Sequence, residues 1–117
     1  MTLCSPGDVV LVRFPFTDLT SSKKRPALVI SPSEYSAEYG DVIVMALTSQ
    51  SQGANFEIRE WKQAGLPKPT WFKPIIATLS MNVISRRLGV LPDTDWGGAV
   101  RAVGMLIADQ FRSSDPR

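Results

Sequence analysis

At 117 residues, 44% hydrophobic and 21% charged, the chain has the makeup of one ordinary globular domain, long enough to bury a core. Its formal net charge is only +2, so any affinity for a polyanion must be local and not a property of the whole surface. With one cysteine and no histidine, the composition excludes an internal disulfide, a Ser-His-Asp triad, a histidine pair for ribonuclease chemistry and a structural zinc site within one chain.

The lone thiol, Cys4, sits in an N-terminal stretch expected to be loose; no histidine is there to activate it, and it reads as incidental. A free cysteine fits a reducing compartment. No apolar stretch approaches the ~18 residues needed to span a bilayer, and no signal-peptide pattern opens the chain, so the expected location is cytoplasmic.

Residues 9–14 and 26–31 are short runs rich in β-branched residues, bounded by turn formers, and read as two strands. The polar loop between them ends in Lys23, Lys24 and Arg25, a place where an anion such as phosphate would be held; the plain alternative is a solvated hairpin loop. Residues 42–48 form a third strand whose continuous apolarity implies burial on both faces. Alternation of Asn55 and Glu57 against Phe56 and Ile58 predicts a fourth strand over 54–58. Two prolines and a glycine make 61–70 a loop, and strands resume over 71–79 and 83–91, with Pro74 confined to an edge or a bulge because it has no N–H to donate.

The period then changes. Asp93, Thr94 and Asp95 offer N-cap side chains, and Trp96, Val100, Val103, Ile107 and Phe111 follow at helical spacing, predicting an amphipathic helix over 93–111. Gly97, Gly98 and Gly104 weaken it by ~1 kcal/mol each relative to alanine, so it must be stabilised by packing against the sheet or a partner. Five or six short strands and a terminal helix argue for a mainly β fold, a small, strongly bent antiparallel barrel in a single domain spanning 1–117.

Three segments carry a resemblance. Gly7-Asp8-Val9-Val10-Leu11-Val12, Phe14-Pro15-Phe16-Thr17-Asp18 and Arg25-Pro26-Ala27-Leu28-Val29-Ile30 resemble the opening of the MazF/PemK family of bacterial toxins. The run from Asp41 to Thr48 and Ser49 resembles that family's third strand with its terminal Thr-Ser. Ala64-Gly65-Leu66-Pro67-Lys68-Pro69-Thr70 resembles the Ala-Gly-Leu segment of the PemK-like branch, where serine is more usual at the position of Thr70. The resemblance implies an SH3-like barrel with helices. It also implies a toxin of a type II toxin–antitoxin system: a homodimeric, metal-independent, sequence-specific endoribonuclease of single-stranded RNA, without a cofactor and neutralised by a cognate antitoxin.

It points to Arg25 and Thr48 as catalytic residues, and the chemistry is consistent. Attack of a ribose 2′-OH on the adjacent phosphate builds negative charge on phosphorus; a guanidinium forking onto two oxygens stabilises that charge, and a hydroxyl can donate to a third oxygen or orient the 2′-OH. Lys24, Ser49, Asp18 and Lys73 are candidate substrate-binding residues, with Asp18 the acid nearest Arg25 in sequence and hence a candidate base. Taken alone, Arg25 reads as an edge-strand charge, Thr48 as a β-former and Asp18 as a turn residue. The fifth strand carries no carboxylate where some family members place a proton-transfer group. That leaves open a second reading, a non-catalytic toxin or binding module on the same barrel: a gyrase poison, as in the similar CcdB family, or an RNA binder. Phe16, Tyr39, Trp61 and Trp71 are candidate stacking surfaces, and of the neighbours Arg86 and Arg87 at most one can face a given groove.

Overall fold

The computed structural model describes residues 4–13 and 23–107. Five strands, β1 (Asp8–Val12), β2 (Arg25–Val29), β3 (Asp41–Thr48), β4 (Trp71–Ser80) and β5 (Ile84–Val90), make one antiparallel sheet in the order β4-β3-β2-β1-β5. Alternation along the strands produces two cores. Val10, Val12, Ala27, Val29, Val42, Val44, Ala46, Ala77 and Leu79 point to one face, where Cys4 and Met81 join them. Among the described residues no α-helix contributes to that cluster, so the sheet buries this face by curling over itself, as a barrel does. The edge strands β4 and β5 do not pair with each other among the described residues, which leaves the barrel open.

The other face carries Val9, Leu28, Met45, Leu47 and Phe72, and is roofed by Ile58, Ala64 and Leu66 from the β3–β4 connection and by Ala99 and Ala102 from the C-terminal helix. β3 therefore contributes to both cores, as its continuous apolarity implies. Pro74 lies on edge strand β4 where the register with β3 jumps, Met45 pairing Ile76 and the next residue, Ala46, pairing Lys73. Two residues are extra there, and an even insertion keeps each side chain on its own face.

Four expectations need correction. Residues 54–58 are not a strand: Ala54–Phe56 is a 3₁₀ turn and only Glu57 bridges to Trp71. β3 already has β2 and β4 as neighbours, and the Phe56 and Ile58 side chains face the second core as part of a packed loop. Cys4 is not in a loose stretch but buried in the first core. Third, the terminal helix begins with a 3₁₀ turn, Asp93–Asp95, followed by α2 (Trp96–Gly104), without a side-chain N-cap bond. Asp95 is instead buried, and its carboxylate accepts the backbone N–H groups of Arg59 and Glu60 at 2.8 and 3.0 Å, tying the roof loop to the helix.

The buried stripe of α2 is also displaced from the one expected. Ala99 and Ala102 are buried and Trp96 and Val103 pack beside them, whereas Val100 is 63% and Ile107 58% exposed; Phe111 lies outside the described residues. A Cβ on Gly98 would stand 3.1 Å from the Phe72 ring, so the helix sits close to the sheet at that point. A short helix, α1 (Ser33–Tyr39), which the sequence pattern did not signal, joins β2 to β3 and closes on Gly40 in the left-handed conformation, φ 70°.

Candidate active site

β2 begins, β3 ends and β4 begins at the same end of the sheet, where β1 ends and β5 begins. Val12 pairs with Arg25, and Thr48 pairs with Trp71. The β2–β3 register, Ala27 opposite Ala46, places Arg25 opposite Thr48 when continued by two residues. Val12 and Arg25 are thus cross-strand partners, as are Thr48 and Trp71, and Arg25 and Thr48 stand on the same sheet face at the ends of neighbouring strands. Lys73, partner of Ala46, stands on the same face one step along.

These strand ends line a cleft of about 690 Å³. Lys23, Lys24 and Arg25 enter from β2 and the segment before it, Thr48, Ser49 and Gln50 from the end of β3, and Lys68 and Thr70 from the β3–β4 connection; Lys73 and Arg86 come from the two edge strands. Leu11, Leu66 and Leu88 supply apolar wall. The lining holds six of the chain's thirteen cations and, among the described residues, none of its eleven acids. A chain of net charge +2 thereby gains a strongly cationic groove.

Local bonds orient several of these groups. Thr48 Oγ1 accepts the Gln50 backbone N–H at 3.1 Å, which leaves the hydroxyl proton to be donated outward. Lys24 Nζ donates to Ser85 Oγ at 2.9 Å, reaching over β1 to β5. The Thr70 hydroxyl, buried, donates to the Lys68 carbonyl at 2.8 Å and stiffens the wall that carries Lys68. Arg25 is exposed, its guanidinium accessible to a ligand.

Of the residues singled out in the sequence, Arg25, Thr48, Lys24, Ser49 and Lys73 all line this one cleft. Asp18 and Phe16 lie outside the described residues. Trp61 packs into the second core with Lys62 Nζ 5.4 Å from its ring, and Tyr39 stacks near Tyr35 on α1; neither lines the cleft, and neither does Trp71. Sequence reasoning missed Lys68, Gln50 and the side that Arg86 takes. Arg86 pairs with Leu11 and lines the cleft, while Arg87 pairs with Val10 and lies 3.5 Å from Asp8. Burial pushes the nearby Cys4 thiol above its usual range, Asp8 adding to the effect and Arg87 opposing it. Among the described residues no three His, Cys, Asp or Glu side chains gather as a metal site, and no helix is long and apolar enough to cross a membrane.

A sequence profile of the family described as "PemK-like, MazF-like toxin of type II toxin-antitoxin system" matches residues 5–106. No curated protein matches the chain as a relative. Among solved structures, MazF from Deinococcus radiodurans superposes with a TM-score of 0.71 at 23% identity, over 91% of this chain and 97% of that one. An endoribonuclease in complex with its cognate antitoxin, from a mycobacterial species, gives 0.69 at 16% identity over 90% and 93%. Mycobacterium tuberculosis toxin MazF-mt6 gives 0.68 at 18% identity over 84% and 93%. At these identities the structural likeness speaks to the fold.

Proposed function

The chain belongs to the PemK-like, MazF-like toxin family of type II toxin–antitoxin systems, and from that premise we propose that it is a metal-independent, sequence-specific endoribonuclease whose active site is the cationic cleft at the strand ends. The observation that carries this reading is Arg25 and Thr48 together in one groove lined by six cations and, among the described residues, no carboxylate. Such a groove favours a phosphodiester backbone over any neutral or cationic ligand.

In this reading the 2′-oxygen of the nucleotide before the cut forms a bond to phosphorus and the bond from phosphorus to the 5′-oxygen breaks, leaving a 2′,3′-cyclic phosphate and a 5′-hydroxyl. Arg25 forks onto the two non-bridging oxygens as charge grows on them and, unlike lysine, keeps its proton throughout. Thr48, held by Gln50, donates its hydroxyl proton to the same phosphate. Lys24, Ser49 and Lys73 hold the flanking backbone. The described cleft offers no carboxylate or histidine to take the 2′ proton, and Asp18 is the candidate base nearest Arg25 in sequence.

The partners follow from two surfaces. The cleft suits an acidic antitoxin segment that competes with RNA by charge; a solved neighbour is an endoribonuclease with its cognate antitoxin. An apolar groove of about 320 Å³ between Ile30 and the outer side of α2, lined by Trp96, Val100, Val103 and Ile107, is the surface a second copy would cover in a homodimer. Light scattering at micromolar concentration should return twice the chain mass; a monomer there would refute the dimer. The activity itself is tested with purified protein and a long single-stranded RNA in EDTA, reading fragment ends. Cuts at a recurring short sequence are the expected result, and an intact RNA after prolonged incubation with folded protein would overturn the proposal.

A further inference from the structure

Three cations stand at the cleft end of the sheet on strands that are not neighbours: Lys73 on β4, Arg25 on β2 and Arg86 on β5. In the order β4-β3-β2-β1-β5 each is two strands from the next, a step of about 10 Å along the sheet. A single nucleic acid strand touching all three would therefore cross the strand ends and not run along one strand.

Arg86 owes its position to two irregularities in β5. The β1–β5 register skips Leu88 between the pairs Val9–Gly89 and Val10–Arg87, and skips Ser85 between Leu11–Arg86 and Val12–Ile84. Between those skips Arg87 takes the Val10 side, close to Asp8, and Arg86 takes the side of Leu11, on the cleft.

Lys68 reaches the same part of the cleft by a different device. A Cβ on Gly65 would lie 2.1 Å from the Leu88 carbonyl oxygen, and one on Gly89 would lie 2.4 Å from that of Ala64. Two glycines thus let the backbone of the β3–β4 connection press directly on β5, closer than any other residue pair would permit. Lys68 is three residues beyond Gly65 and Arg86 three before Gly89, so each is at most about 11 Å of chain from the contact. Both side chains are exposed, both line the cleft, and the bond from buried Thr70 fixes the Lys68 backbone.

We propose that Lys68 and Arg86 form a second phosphate subsite, which grips the RNA backbone at a nucleotide flanking the one cut at Arg25. This inference rests on the ribonuclease reading of the cleft. The pair acts in substrate binding and touches no reacting atom, so its loss should raise KM and leave kcat within a factor of ~2 when RNA saturates.

The test uses single-stranded RNA oligonucleotides methylated at every 2′-oxygen, which bind but cannot be cut, with affinity followed by fluorescence anisotropy over a salt series. Each phosphate contact on a single strand contributes about 0.7 to the slope of log affinity against log salt. The double variant Lys68→Ala, Arg86→Ala should lose about 1.4 of that slope, and a hexanucleotide should lose most of its advantage over a dinucleotide. Its thermal melt should match the wild type, because exposed cations contribute little to stability. If the wild type cuts RNA while the variant keeps the full slope and the full length advantage, the subsite is refuted and the reading of the cleft stands. If the wild type neither binds nor cuts RNA, both fall together.

Discussion

Placing a methyl group on Gly89 tests the contact that builds the cleft wall. The added Cβ would meet the Ala64 carbonyl oxygen at 2.4 Å, its carbon at 2.7 Å and the Gly65 nitrogen at 3.0 Å. A carbon normally approaches a carbonyl oxygen no closer than about 3.3 Å, so the two backbones must separate by about 0.9 Å. Every atom in the way is main chain, and no flexible side chain can swing aside. Overpacking of this kind costs ~1–3 kcal/mol, and the backbone clash puts Gly89→Ala at the upper end. For 117 residues, an unfolding entropy of ~2.1 cal/mol/K per residue makes each kcal/mol worth about 4 °C, giving a fall in Tm of about 12 °C. Two other glycines calibrate the effect. Gly40→Ala meets no atom within 4 Å but has φ +70°, so only the left-handed backbone strain of ~1–2 kcal/mol is felt. Gly104→Ala meets open space on helix α2 with no such strain and should be neutral or stabilising by up to ~1 kcal/mol. Melting followed by circular dichroism should rank Gly89→Ala lowest, Gly40→Ala next and Gly104→Ala highest. A Gly89→Ala protein that melts at or above Gly40→Ala would show that the two backbones are not in contact.

Arg25→Ala should lower RNA cleavage by at least ~10²–10³ with almost no change in Tm, since the side chain is exposed; Thr48→Ala should cost less, and a Thr48→Ser rescue would locate the effect in the hydroxyl. Removing the buried carboxylate with Asp95→Ala leaves the Arg59 and Glu60 N–H groups without their acceptor, and should destabilise by about 3 kcal/mol in denaturant melts. Cys4 is held protonated by burial, so its pKa in the folded protein lies above the unfolded value. The stabilisation from the neutral thiol is then complete below the unfolded pKa and lost as pH rises through the folded one. Iodoacetamide should label it far more slowly in the native protein than in urea at the same mildly alkaline pH, and equal rates would contradict its burial.

Most of the strands are legible because burial on two faces demands apolar runs that few other structures tolerate, and β3 feeding both cores is the clearest case. The resemblance points to Arg25 and Thr48, and the antiparallel β2–β3 pairing brings both to the same end of the sheet. The remainder depends on packing that periodicity does not carry. The alternation at 54–58 arises from a loop laying Phe56 and Ile58 on a sheet face, which imitates a strand without a ladder. On α2 Val100 and Ile107 lie exposed while Ala99 and Ala102 are buried and Gly98 approaches the Phe72 ring, the opposite of what hydrophobicity alone suggests. The choice of Arg86 over Arg87 turns on two skipped residues in β5, and Lys68 joins the cleft through a glycine contact between segments far apart in sequence.

The central claim is that a 2′-hydroxyl attacks a phosphate held by Arg25 and Thr48. The most direct measurement takes an oligoribonucleotide that the protein cuts once and replaces only the nucleotide before the cut with its 2′-deoxy form. Every phosphate contact is retained, so binding should change little, while cleavage should stop; the unmodified parent should be cut to a 2′,3′-cyclic phosphate and a 5′-hydroxyl. Cleavage of the deoxy substrate, or products ending in a 5′-phosphate, would mean that water and not the ribose is the nucleophile, and would contradict the account.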